Sequence, residues 1–144
     1  ARVNREHENP LVAFFEEAQS VLSRFELKGT NAYYDYRLYV PSDKGWKLEN
    51  SYDILTYEYI QTSKFDFLFL LESRMLDYLQ QNARGVNPSE LEKGRLFYQD
   101  ARNGAIENYL QLYRNPTARL FVREDLCLNT LSKEECEALS ARAK

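Results

Sequence analysis

The sequence predicts a mainly α protein, an irregular bundle of four to five helices with one extended or short β segment near residues 31–48. Apolar residues recur at steps of three and four over several segments, the spacing that places them on one face of a helix. The 144 residues include only five Gly and four Pro, too few for a fold of many short strands and turns. Hydrophobic residues make up 44% of the chain, which predicts a packed core.

The first helix is expected to begin at Asn9-Pro10, with Asn as the N-cap and Pro in the first turn. Gly29 is expected to end it. Its apolar stripe contains Leu11, Phe14, Ala18, Val21 and Phe25. Residues 1–8 are charged and lack this spacing, so we expect a flexible arm there. No repeat, linker or low-complexity segment divides the chain, which predicts a single helical domain over residues 1–144.

Between residues 31 and 48 helical spacing gives way to alternation. Tyr34, Tyr36 and Val40 would share one face of a strand. Because a lone strand cannot satisfy its own backbone hydrogen bonds, three interpretations stay open. The segment pairs with another edge, for which residues 46–48 across a turn at 41–45 are a candidate, or it is extended chain lying on the bundle, or it is helical.

Two more helices are expected in the centre of the chain. One begins at Asn50 or Ser51 and continues through Ile60. The next begins at Ser63 and ends near Gly85. Its residues 65–71 are apolar on almost every side, which is typical of the most buried helix of a bundle. A strand over residues 65–71 is the alternative, which the length of the helical pattern disfavours.

The sequence of the C-terminal half predicts two further helices. The first begins at Asn87-Pro88 and ends before Pro116, and the segment over residues 117–128 has no predicted form. Ser132 and Glu135 have the spacing of a capping box, in which each side chain accepts a hydrogen bond from the other residue's N–H. The terminal helix is therefore expected to begin there and to continue towards Ala143.

Charge and hydropathy restrict the classes of partner. The formal net charge is −3, whereas binding to nucleic acid depends on a basic patch. Arg114, Arg119 and Arg123 are interrupted by acidic residues, and we interpret them as a solvated face, so nucleic acid is not favoured as a partner. No run of 18 apolar residues is present, so we expect no transmembrane segment.

No catalytic, cofactor-binding or metal-binding set stands out. His7 is the only histidine and lies in the charged arm, which argues against a catalytic triad or a histidine-rich metal site. The glycines are too scattered to form a phosphate-binding loop. We therefore predict no catalytic residue, no metal ligand and no cofactor, and the sequence favours a protein that is not an enzyme.

The two cysteines, Cys127 and Cys136, have eight residues between them. That is not the spacing of zinc ligands. Two interpretations are open: a disulfide, favoured because both residues lie beside a turn, or two separate thiols. A disulfide would suit an oxidising compartment, so the sequence slightly favours an extracytoplasmic or secreted protein.

Tyrosine is the one compositional anomaly, because seven of the eleven lie between residues 33 and 59. Tyr joins a large apolar ring to a polar tip and is favoured at protein interfaces. The candidate interface residues are Tyr33, Tyr34, Tyr36, Tyr39, Tyr57 and Tyr59. The simpler alternative is that these rings only cover the side of the bundle.

We therefore expect a non-catalytic protein–protein interaction module of the accessory, adaptor or inhibitor type, with another protein as its partner. Two alternatives from other classes remain. One is a small nuclease, metal-dependent or metal-independent, with a site built from dispersed carboxylate, Arg and Tyr side chains. The other is a carrier of an apolar small ligand, which would need an enclosed apolar cavity.

Overall fold

The computed structural model describes residues 10–34, 39–42, 45–48, 55–80 and 88–143. The strands in these ranges are β1 (Ala32–Tyr34), β2 (Tyr39–Ser42), β3 (Gly45–Leu48), β4 (Phe67–Leu71), β5 (Tyr109–Arg114) and β6 (Ala118–Arg123). The helices are α1 (Pro10–Glu17), α2 (Gln19–Leu22), α3 (Tyr57–Ser63), α4 (Glu72–Gln80), α5 (Pro88–Arg102), α6 (Glu124–Thr130) and α7 (Lys133–Ala143).

The mainly α prediction is wrong, because the described residues form an α/β fold. A mixed four-stranded sheet has the strand order β1-β4-β6-β5, and β2 and β3 form a separate antiparallel pair. β1 is parallel to β4, with Tyr33 opposite Leu68. β6 is antiparallel to β4 and to β5, with a register shift in β5 between Gln111 and Tyr113.

Helices cover both faces of this sheet and form two cores. On one face, side chains of α1, α2, α6 and α7 pack with Phe67, Phe69 and Leu120. On the other face, side chains of α3, α4 and α5 pack with Leu68 and Phe121. The sheet is therefore the middle of three layers, and its two interior strands are buried on both sides.

The helix expected from Ser63 to near Gly85 is instead, within the described residues up to 80, the strand β4 followed by α4. All five residues of β4 are buried, because alternate side chains enter opposite cores. A strand that is apolar on both faces has the same composition as a buried helix, so periodicity could not separate the two. The expected burial of this segment is confirmed, whereas the helix expected over residues 67–71 is wrong.

The helix expected over residues 87–115 ends early, at Arg102. The chain closes α5 with two hydrogen bonds, from Gly104 N to Ala101 O (3.0 Å) and from Ala105 N to Asp100 O (2.9 Å). This is the Schellman pattern, in which the residue after the cap has a positive φ, and Gly104 has a φ of +68°. The following residues then form β5 and β6, so the Tyr109 and Leu112 side chains belong to a strand.

Several local predictions are confirmed. α1 begins at Pro10. Glu135 N donates to Ser132 Oγ (3.1 Å) and Ser132 N donates to Glu135 Oε1 (3.3 Å), as a capping box requires. Within residues 31–48, where three interpretations were open, β2 and β3 form an antiparallel pair with Pro41 opposite Trp46, and β1 pairs with β4. Residues 1–8 lie outside the described ranges, and the single domain stays a prediction.

Cys127 of α6 and Cys136 of α7 lie at disulfide distance, with their Cα atoms 6.2 Å apart. Both side chains are fully buried in the core that contains α1 and α2. A bond at this position joins the two helices. In the unfolded chain it closes a loop of about ten residues.

We expect removal of this bond to lower the free energy of unfolding by about 2–3 kcal/mol, because the reduced unfolded chain regains the entropy of the open loop. The comparison is urea unfolding with and without reductant. The C127A/C136A variant is the control, since reductant should leave its stability unchanged. Detection of two alkylatable thiols in the unfolded, unreduced chain would contradict the bond.

Candidate functional site: two clefts at the ends of the sheet

The first cleft, called here the α3 cleft, lies at the end of the sheet where β5 begins and β6 ends. Its volume is about 520 Å³ and it is partly open to solvent. It is lined by Ile60, Gln61 and Lys64 at the C-terminal end of α3 and by residues 107–109 and 123–125. The cleft therefore brings together three segments that are distant in the sequence.

Two residues of this lining have a left-handed backbone. Lys64 (φ 54°) ends α3, and its N–H donates to Ile60 O at 3.0 Å. Asn108 (φ 70°) precedes β5, and its carbonyl accepts from Glu124 N at 2.8 Å. Asn tolerates this conformation better than most residues, whereas at Lys it costs a modest strain energy. These hydrogen bonds fix the walls of the cleft.

The Arg123 guanidinium is held between two carboxylates. It lies 2.5 Å from Asp66 and 2.5 Å from Asp125. The hydrogen bond that Arg123 donates to Asp125 is the largest of several effects that raise the pKa of Arg123 above its ordinary value. Asp66 also accepts from Asn31 N at 2.9 Å, so this side chain joins the start of β1 to the end of β6.

Two phenols beside the cleft are held as hydrogen-bond donors. Tyr109 donates to Phe65 O at 2.6 Å, and burial raises its pKa to about 12. Tyr57 donates to Asp100 at 2.5 Å, and burial together with this hydrogen bond raises its pKa to about 12 as well. Both hydroxyls therefore keep their protons at neutral pH, and neither can serve there as a base.

The structure separates the tyrosines that the sequence grouped together. Tyr33 is only 2% exposed and belongs to the core beneath α3. Tyr34 points to the opposite face of the sheet, where it stacks on Phe69 at 5.3 Å. Tyr36 lies outside the described residues, as does the side chain of Tyr39.

Among the candidate tyrosines whose side chains the structure describes, Tyr57 and Tyr59 are the two that share a surface element, because both are half-buried on α3. The Tyr57 ring packs edge-on against Phe97 at 5.4 Å, and the Tyr59 ring packs against Phe65 at 5.7 Å. Between the two rings, α3 presents an exposed ridge to solvent that consists of Glu58, Gln61 and Thr62. Gln61 belongs both to this ridge and to the lining of the α3 cleft.

The second cleft, called here the arginine cleft, lies at the other end of β5 and β6. Its volume is about 630 Å³, and it separates the last turn of α7 from the turn between the two strands. Two cations line it, Arg114 at the end of β5 and Arg142 in the last turn of α7. Arg114 was expected to be one of three arginines on a solvated face, and Arg142 was not among the predicted site residues.

A buried polar network lies close to this end of the sheet. Glu72 accepts from Arg102 Nε at 2.7 Å and from Arg119 Nε at 3.3 Å. Arg119 also donates to Gln111 Oε1 at 2.9 Å, and the Gln111 amide donates to Ala143 O at 2.9 Å. Arg119 is only 8% exposed, so its interpretation as a solvated residue is wrong. The network ties α4, α5 and α7 to the sheet.

Two findings apply to the described ranges only. No group of three His, Cys, Asp or Glu side chains there could hold a metal ion. None of the helices in those ranges has the length and apolar content needed to cross a membrane. The nuclease and carrier hypotheses stay predictions.

The sequence contains residues of this site, but their spacing indicates a different local structure. Asp66 follows Ser63 at the spacing of a helix start, whereas in the structure it pairs with Arg123 across two strands. Comparison with protein-family models, with curated proteins and with solved structures finds no match to this chain. The function is therefore argued from the chain's own residues.

Proposed function

We propose that this protein is a non-catalytic protein-binding module whose partner contacts the exposed ridge of α3 and the α3 cleft. The observation that carries the proposal is the setting of Tyr57. Its ring is half-buried, and its hydroxyl accepts at 3.4 Å from the N–H of Glu107, a residue that lines the cleft. A tyrosine held in one position loses little conformational entropy on binding, which is why such rings serve as interface anchors.

The charges of the cleft support a specific protein partner. Lys64 and Arg123 lie in the same lining as Glu107, Glu124 and Asp125. Cations and anions at fixed positions select a partner with the complementary pattern and oppose partners with like charges. The cleft and ridge together offer an aromatic anchor, an apolar floor at the buried Ile60 and a charged rim, which is the usual arrangement of a protein interface.

Site-specific cross-linking tests the location of this surface. We expect a photoreactive benzoylphenylalanine at Gln61, which is exposed on the ridge, to capture one protein reproducibly from an extract of the native source. The matched control carries the same probe at Glu137, which is exposed on α7 on the opposite face of the sheet. Capture of the same protein at both positions, or of none at Gln61, would contradict the proposal.

The protein captured at Gln61 then allows a quantitative test with purified components. We expect K64E to raise its Kd about tenfold, since the substitution reverses one exposed charge of the cleft. The control is K28E, which reverses an exposed charge in the loop after α2. Equal affinity of K64E and K28E for the captured protein would place the interface elsewhere.

A further inference from the structure

Helix α6 forms one wall of the α3 cleft and has few anchors in the core. It follows β6 without an intervening loop, and its first residues, Glu124 and Asp125, line the cleft. Asp125 accepts a hydrogen bond from Arg123 Nε in the same lining. Cys127 is the one fully buried side chain of α6, and Leu126 is half-buried. The position of this wall therefore depends largely on Cys127.

Helix α7, at the other end of the Cys127–Cys136 bond, is anchored independently of it. Leu139 and Ala143 of α7 are buried in addition to Cys136. Ala143 O accepts from the Gln111 side chain at 2.9 Å, and α7 packs along β5. The bond therefore joins a weakly anchored helix to one that the sheet holds in place.

A helix as short as α6 is not stable by itself. It has seven residues, whereas isolated helices shorter than about 12 residues are marginal in water. Its N-cap residue is Arg123, whose side chain has no acceptor for the free N–H groups of the first turn. Glu124 N donates to Asn108 O at 2.8 Å, so only the start of the helix is tied to β5. After reduction, the rest of α6 is held by the packing of its side chains alone.

We propose that the Cys127–Cys136 bond controls the order of α6 and, through it, the shape of the α3 cleft. A dithiol reductant supplies two electrons and two protons, the S–S bond becomes two thiols, and the reductant becomes a disulfide. α6 then unwinds and removes Glu124 and Asp125 from the cleft wall, while α7 and the sheet keep their structure. The order of α6 concerns this chain alone, whereas its consequence for binding rests on the proposed function.

NMR of the isotope-labelled protein, oxidised and reduced, tests the order of α6. The competing explanation is that the bond only constrains the unfolded chain and leaves the native α6 unchanged. We expect the Cα shifts of residues 124–130 to lose about half or more of their helical deviation on reduction, with those of residues 137–142 retained. The Arg123 Nε–H signal should shift, because Asp125 leaves it. Unchanged α6 shifts in the reduced chain, or equal losses in α6 and α7, would overturn the proposal.

A double variant tests the same point without reductant. C127V/C136A removes the bond and keeps most of the apolar volume at this position, so it should show the α6 changes in an otherwise folded chain. The control is V21A, which removes apolar volume from α2 in the same core and leaves the bond intact, and α6 should stay helical in it. If the reduced chain and C127V/C136A both unfold completely, the bond holds the whole fold and not α6, and the proposal is wrong.

The protein captured at Gln61 tests the consequence for binding. We expect C127V/C136A to raise its Kd about tenfold or more and V21A to leave it unchanged. A variant is preferable to reductant here, because disulfides of the captured protein stay intact. An unchanged Kd in C127V/C136A would overturn control of binding by the bond and leave the proposed interface standing. If no protein is captured at Gln61, the proposed function fails, and the NMR measurement still decides whether the bond orders α6.

Discussion

Replacing Leu70 or Leu71 with Ala is expected to lower the free energy of unfolding by about 2–5 kcal/mol in each case. The two residues are neighbours in β4 and are 0% and 1% exposed. Leu70 packs in the core beneath α3, α4 and α5, whereas Leu71 packs in the core beneath α1, α2, α6 and α7. Each truncation leaves a cavity that the surrounding layers can fill only in part.

The measurement is chemical unfolding of L70A and L71A beside L96A as a control. Leu96 is 55% exposed on α5, so L96A should change stability by less than about 0.5 kcal/mol. Large effects at two adjacent positions follow from a strand buried on both faces. If L71A behaved like L96A while L70A did not, the segment would have one buried face only, and the three-layer arrangement would be wrong.

The second large effect is expected at Glu72. E72A should lower the free energy of unfolding by about 3 kcal/mol, since Arg119 would remain buried without its carboxylate partner. Glu72 lies in the first turn of α4 and also binds Arg102. Because the side chain of Glu72 is 19% exposed, water can reach part of the site, which places the expected loss at the lower end of the range for buried pairs.

A surface ion pair of the same chain provides the control for E72A. Glu92 lies 3.4 Å from Arg95 on α5, and the Glu92 side chain is 73% exposed. Pairs of this kind contribute less than about 1 kcal/mol, because water screens them and the side chains lose entropy. Equal unfolding free energies for E72A and E92A would show that Arg119 finds another partner and that the network does not anchor α4 to the sheet.

Both predictions concern the scaffold on which the two clefts depend. β6 passes from Arg119 in the buried network to Arg123 at the wall of the α3 cleft. α7 likewise connects the network, through Ala143 O, to Arg142 in the arginine cleft. Stability measurements should therefore accompany every binding measurement, so that lost binding is not confused with partial unfolding.

Signals that depend on neighbouring residues could be interpreted correctly from the chain alone. Pro10 at the start of α1 and the Ser132–Glu135 capping box both depend on groups only a few residues apart. Each is decided within one turn of backbone, so the residue types at those positions carry most of the information. The burial of residues 65–71 was also correctly predicted, from hydrophobicity.

The positions of the tyrosine rings could not be predicted from the sequence alone. Tyr33 and Tyr34 are adjacent and chemically identical, but β1 directs one ring into the core beneath α3 and the other to the opposite face. Composition could predict an aromatic-rich segment, whereas it could not predict which rings would reach the surface together. The pair that shares a surface element, Tyr57 and Tyr59, is defined by the start of α3 at Tyr57.

The amino-acid order alone determined some local features of this protein: the starts of α1, α5 and α7, one capping box and the amount of apolar side chain to be buried. The tertiary structure decided whether residues 67–71 and 109–123 would be helix or strand, because that choice depends on partners far away in the chain. It also created both clefts, whose walls come from segments that only the sheet brings together. Long-range pairing supplies the free energy for these choices, and a periodicity read along the chain contains no measure of it.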